Sequence, residues 1–180
     1  MELLEAHRRA QDAFGLVLQK VSHDQWRGST PCPEWDVAAL VRHVVGGNQR
    51  VQELAGDQPV ALPDEPASAH LVSAAAAQQV FEAPDGLTRP FQLPFATLPG
   101  SAFIGIRSSD VFTHAWDLAV ATGQPTDLDD ELAAQLLETS RRLLPPQLRG
   151  EGRPFGEERP CPPGRPEADQ LAAFLGRTVG

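Results

Sequence analysis

Ser109-Asp110-Val111-Phe112-Thr113-His114-Ala115-Trp116-Asp117-Leu118-Ala119-Val120-Ala121-Thr122-Gly123 sets three ionisable side chains at spacings that a helix aligns. Asp110 and His114 are four apart and Asp117 follows three later. On a helix the three share one face, with β-carbons about 5–6 Å from one another. Val111, Leu118 and Ala121 share or flank that face, so the polar trio points into a core or cleft. Buried acids and imidazoles need partners. A divalent cation is one such partner, and a hydrogen-bonded polar pair without metal is the other.

Outward from this helix, the N-terminal side supplies three more amphipathic helices. Over 2–21, Leu3, Ala6, Ala10, Ala13, Phe14, Val17, Leu18 and Val21 recur at helical spacing. His7, near its start, reads as a surface or partly buried histidine and is kept as a minor site candidate. A loop over 22–34, broken by Gly28 and Pro31-Cys32-Pro33, leads to Asp36, a good N-cap for a helix over 37–55. There Leu40, His43, Val44, Gly47 and Val51 fall on one face, so the core side carries a histidine. Gly46-Gly47 in mid-helix permits close approach of a neighbouring helix or a substrate. A third helix is expected over 67–81, with His70 exposed, then a short hairpin through Leu87–Leu93 and Phe95–Leu98.

The fourth helix is expected from about Ser101 to Gly123 and the fifth from Asp129 to Leu144, with Leu132, Leu136, Leu137, Leu143 and Leu144 on its apolar side. Pro145 to Pro166 holds seven prolines and four glycines and reads as an extended arm or loop. A short helix from Glu167 to Arg177 closes the chain. The expected fold is mainly α: a four-helix bundle with a short hairpin before the fourth helix and extra C-terminal helices, in one domain over 1–180.

With 15 basic and 24 acidic residues the chain carries −9, which argues against nucleic acid or an anionic membrane as partner. No stretch reaches the length of a membrane span, and the N-terminus lacks the apolar run of a signal peptide. Two unpaired cysteines, Cys32 and Cys161, fit reduced thiols. A cytoplasmic protein acting on a small molecule, as monomer or homodimer, is the expectation.

His43 on the second helix joins Asp110 and His114 on the fourth as a set of two histidines and one carboxylate. Three protein ligands with open positions is the pattern of a catalytic divalent site, whereas a structural zinc site closes with four. Zn²⁺ suits these donors, and Ni²⁺, Co²⁺ or Fe²⁺ fit the same set.

Thr30-Pro31-Cys32-Pro33-Glu34-Trp35-Asp36-Val37 running on to His43-Val44-Val45-Gly46, together with Asp110-x-x-x-His114-x-Trp116-Asp117-Leu118-Ala119-x-Ala121-Thr122-Gly123, resembles the metal-binding domain of mycothiol-dependent maleylpyruvate isomerases, within the DinB/YfiT-like superfamily. The likeness extends to Phe174-Leu175-Gly176-Arg177. It implies a four-helix bundle in which His43, Asp110 and His114 hold a divalent metal, usually zinc, with Asp117 as a supporting acid. The isomerases carry Glu where Asp110 stands, so the shorter acid implies an ion closer to the fourth helix.

The activity implied is that of a metal-dependent thiol S-transferase or thiol-dependent isomerase, using mycothiol or a similar low-molecular-weight thiol against a small electrophile. Arg107, one turn before Asp110, is a candidate to pair with a carboxylate of substrate or thiol, and Trp35 to wall the pocket. Two other functions stay open: a non-catalytic protein that the metal stabilises, and a metal-assisted hydrolase in which Asp117 is the general base.

Overall fold

The computed structural model describes residues 1–94, 96–144, 146, 149–150 and 156–180. Phe95 of the expected hairpin, and Pro145, Gln147, Leu148 and 151–155 of the proline-rich stretch, lie outside the described residues. The elements in chain order are α1 (Leu3–Leu18), a 3-10 turn (His23–Arg27), α2 (Val37–Ala55), α3 (Pro66–Glu82), β1 (Pro90–Leu93), β2 (Ala96–Pro99), α4 (Gly100–Ala121), α5 (Asp130–Leu143) and α6 (Glu167–Phe174).

Local chemistry sets the starts of three helices. The Asp36 carboxylate accepts from the Ala39 amide at 2.7 Å and opens α2. Glu65 accepts from Ala67 and Ser68 ahead of α3, where Pro66 takes a first-turn position that has no amide to satisfy. Asp129 caps α5 through the Leu132 amide.

In the bundle, α1 packs chiefly on α4 and α2 on α3, with α1–α3 and α2–α4 contacts closing the ring. α4 is the central member. Every residue from Val111 to Ala119 is buried, as expected of a helix apolar on most faces. α5 and α6 pack together, and Trp116 on α4 donates to Asp169 of α6 at 2.7 Å. β1 and β2 pair antiparallel, with Phe91 opposite Leu98. Phe91 is fully buried beside Phe81 and Phe103, at ring distances of 6.0 and 5.1 Å, in a smaller cluster at one end of the bundle.

Several expectations need correction. α1 stops at Leu18, not Val21, and the loop after it contains the 3-10 turn, whose entry is held by the Ser22 amide donating to Gln25 Oε1. α6 ends at Phe174, before Arg177. Leu143 is 62% exposed, off the apolar side of α5. Both minor histidines are inside: His7 is wholly buried and His70 is 4% exposed. Amides account for that. His7 Nδ1 lies 2.7 Å from Gln78 Oε1 and His70 Nε2 lies 3.0 Å from Gln11 Oε1, so each ring is satisfied away from water.

Candidate metal centre

α2 and α4 lie side by side, and their facing turns bring His43, Asp110 and His114 to the wall of one cavity. The cavity has a volume of about 530 Å³, and Cys32, Trp35 and Arg177 also line it. His43 Nε2 lies 3.4 Å from Asp110 Oδ2, and His114 Nε2 lies 3.5 Å from Asp110 Oδ1. One ligand atom from each residue falls within 4.8 Å of the others. Donor atoms sharing a four-coordinate ion with bonds of about 2.1 Å stand roughly 3.4 Å apart. The His43 Nε2 atom is buried with no hydrogen-bond partner among the described residues, and a cation would satisfy it. Geometry and donor chemistry both fit a divalent metal.

Each imidazole is oriented from behind. Trp35 lies against His43 and His114, with ring centroids 4.5 and 5.5 Å away. His114 Nδ1 donates to Asp117 Oδ2 at 3.0 Å, which leaves Nε2 turned toward Asp110. A carboxylate behind a ligating histidine fixes tautomer and ring angle in this way. Asp117 is wholly buried and in turn receives both ends of Arg177, Nε to Oδ1 at 3.1 Å and Nη2 to Oδ2 at 2.9 Å. Arg177 follows Gly176, whose φ of 95° swings the chain back against α4 as few other residues could.

Burial alone would raise the Asp110 carboxyl, but His114, His43 and Arg107 outweigh it and hold it well below the usual range. Burial would lower His114. Hydrogen bonds to Asp110 and Asp117 overcome that and raise it well above an ordinary histidine. Asp117 is likewise opposed by burial and pulled down by His114 and Arg177. The Asp110 and Asp117 carboxylates thus favour positive charge on the His114 ring.

A second trio, Cys32, His114 and Asp117, also brings potential ligand atoms within 4.8 Å. It would use the other face of the His114 ring. There Arg177 already occupies both Asp117 oxygens and reaches Cys32 Sγ at 3.6 Å. A cation would have to displace a guanidinium. The His43 set leaves Asp110 Oδ1 free of such competition.

Three of the five expected site residues, His43, Asp110 and His114, therefore converge. Asp117 stands behind His114, away from the cavity lining. Arg107 also departs from its expected place: it is 7% exposed, lies outside the cavity lining and donates to Asp110 Oδ2 at 2.6 Å. Among the described residues, Arg177 is the arginine that lines the cavity. Arg177 and Cys32 lie in the quoted motifs, but sequence reasoning assigns neither a site role. The Cys32 Sγ–H donates to Asp117 Oδ2 at 3.4 Å, and its place inside the Thr30–Val37 motif was the available signal.

Fold and site together describe a helical bundle in which three potential metal donors face one cavity. The chain belongs to the mycothiol maleylpyruvate isomerase N-terminal domain family, which its residues 7–93 match. That match takes in Cys32 and His43 and stops before α4. Two proteins named as uncharacterized, from Mycobacterium tuberculosis strains CDC 1551 and H37Rv, are each 55% identical over 181 residues, covering 99% of this chain and 100% of the relative. No solved structure matches the chain.

Proposed function

We propose that this protein is a metal-dependent thiol S-transferase or thiol-dependent isomerase acting on a small electrophile, with His43, Asp110 and His114 as the ligands of a divalent metal, Zn²⁺ foremost. The observation that carries the reading is the convergence of these donors on a cavity large enough for a small organic molecule. Bound there, the metal would supply Lewis acidity that keeps a thiol sulfur deprotonated near neutral pH.

The chain's own residues favour an anionic guest. Asp110 is matched by Arg107 and Asp117 by Arg177, so neither carboxylate has charge to spare for cancelling a dication. A thiolate from a low-molecular-weight thiol such as mycothiol would offset one of the two charges, and an anionic group on the substrate the other. His114 is held in one tautomer by Asp117, and Trp35 excludes water from one side of both imidazoles. Arg177 is 14% exposed at its side chain and borders the cavity, where its remaining edge can face a polar group of thiol or substrate.

The test is turnover of a model electrophile by zinc-loaded protein across a panel of low-molecular-weight thiols. Consumption that requires both the metal and one particular thiol supports the reading. Metal uptake that raises thermal stability, with no thiol-dependent turnover anywhere in the panel, would replace it with a non-catalytic metal-stabilised protein.

A further inference from the structure

Arg107 is a full positive charge in the bundle core, and the side chains around it explain its presence. Its Nη1 donates to Asp110 Oδ2 at 2.6 Å, while Nη2 donates to Asn48 Oδ1 at 3.2 Å and reaches the Val44 carbonyl at 3.5 Å. Two of the three acceptors belong to α2. Between them sits Gly47, where a β-carbon would lie 2.6 Å from both Nη atoms. A glycine in mid-helix is unfavourable in itself. Here its missing side chain is the space that the guanidinium occupies.

Asn48 cannot turn over. Its Nδ2 donates to Gln11 Oε1 at 3.2 Å and to Ser73 Oγ at 3.3 Å, and its Oδ1 accepts from Gln11 Nε2 at 2.8 Å. Reversing the amide would set an NH₂ against a guanidinium, two donors with nothing to accept. Gln11 comes from α1 and Ser73 from α3, so three of the bundle helices hold the acceptor that faces Arg107 on the fourth. The chain of contacts runs on to a carboxylate oxygen: Arg107 occupies Asp110 Oδ2, and Oδ1 is left facing His114.

We propose that Val44, Gly47 and Asn48 form a slot that fixes Arg107, and that Arg107 acts as a positioning residue, holding the Asp110 carboxylate in the one rotation that presents Oδ1 to the ion. The inference rests on the metal reading above and adds what prepares the site for it. Arg107 so placed touches neither substrate nor thiol.

Gly47→Ala must displace the guanidinium, because its β-carbon would lie 2.6 Å from both Nη atoms, and metal binding separates positioning from mere structure. If Arg107 only braces the bundle, the substitution changes stability and leaves cobalt affinity and band as in wild type. If Arg107 positions Asp110, affinity and band both change. Metal-free wild type, Gly47→Ala, Asn48→Leu and, as a control that cuts only the far side of the network, Ser73→Ala are titrated with cobalt(II). The visible absorption band and the Arg107 guanidinium NMR resonances are recorded for each.

Wild type and Ser73→Ala are expected to bind alike. Gly47→Ala and Asn48→Leu are expected to bind about 10-fold or more weakly with an altered band, the size usual for loss of a group that orients a ligand. Separate, exchange-protected Arg107 Nη signals should be present in wild type and lost in Gly47→Ala. If Asn48→Leu does not fold, Gly47→Ala still decides. Binding by Gly47→Ala within twofold of wild type, with an unchanged band, overturns the proposal. If wild type takes up no cobalt at all, the metal reading fails by itself. The Arg107 signals then decide the slot, which stands if Gly47→Ala abolishes them and falls if they persist.

Discussion

Two pairs of histidines sit in this bundle, three of the rings buried and His43 partly exposed, and the pairs do opposite things. His7 and His70 sit among amides, bonded to Gln78 and Gln11. His43 and His114 share Asp110, with a further carboxylate, Asp117, behind His114. Burial drives His7 down to about 4 despite the Gln78 hydrogen bond, and it drives His70 to about 4 as well. The same burial fails to lower His114, because two carboxylates face it. A neutral amide satisfies an imidazole, whereas a carboxylate makes it a place for positive charge, proton or metal.

Loss of a ligand should break the comparison hardest. His43→Ala and His114→Ala are each expected to lower zinc affinity on the order of 10³-fold, while His70→Gln should stay within about threefold of wild type. Competition titration with a chromogenic chelator reads all three, and equal affinities in His43→Ala and wild type would remove His43 from the site.

Next in size is Asp110→Asn in the metal-free protein. It leaves Arg107 charged, buried and without its carboxylate, a change that costs roughly 3 kcal/mol. Urea unfolding should show it, against less than about 1 kcal/mol for Glu53→Gln, whose partner Arg50 is solvent-exposed.

The amide-bound pair has its own signature in pH. From 6.5 down to about 4, unfolded chains protonate His7 and His70 while the folded chain does not. The unfolded state then binds more protons, so stability falls as pH falls through that window and levels off below it. Each ring contributes on the order of 3 kcal/mol. His7→Gln should flatten the pH profile of urea unfolding by that much between pH 6.5 and 4, and an unchanged slope would mean that His7 is not held neutral. His114 works in the other direction. Its raised pKa adds stability below 6.5 that is lost as pH rises through the folded value.

Smaller effects sharpen the metal side. Asp117→Asn keeps a group behind His114 but can present the wrong atom to Nδ1, and zinc affinity should fall about 10- to 100-fold. Cys32→Ser should change it less than about threefold if the ion lies on the Nε2 face of His114. A large loss would move the ion to the Cys32 face.

What sequence could read follows from distance along the chain. Asp110, His114 and Asp117 lie within two turns of one helix, so helical periodicity alone aligned them. His43 fell on the core side of α2 by the same rule. Arg177 is sixty residues from Asp117 and reaches it through the Gly176 turn and the packing of α6, neither of which has a period to follow. Cys32 lies in a loop, where spacing says nothing of direction. The two amide-bound histidines were misread as partly buried or exposed, although His7 lies on the same stripe as Ala10 and Phe14. Their burial depends on Gln78 and Gln11, partners that only the assembled bundle supplies. Arg107 was rightly placed near Asp110 by its spacing, yet its direction was set by Gly47, on another helix.

The most direct measurement is an anomalous difference map from crystals grown with zinc, recorded above and below the zinc edge. A single peak bonded to His43 Nε2, Asp110 Oδ1 and His114 Nε2, with a remaining position open to the cavity, is the expected result. A peak among Cys32, Asp117 and His114 Nδ1, or fully loaded solution protein with no zinc at either trio, would contradict the assignment of the centre.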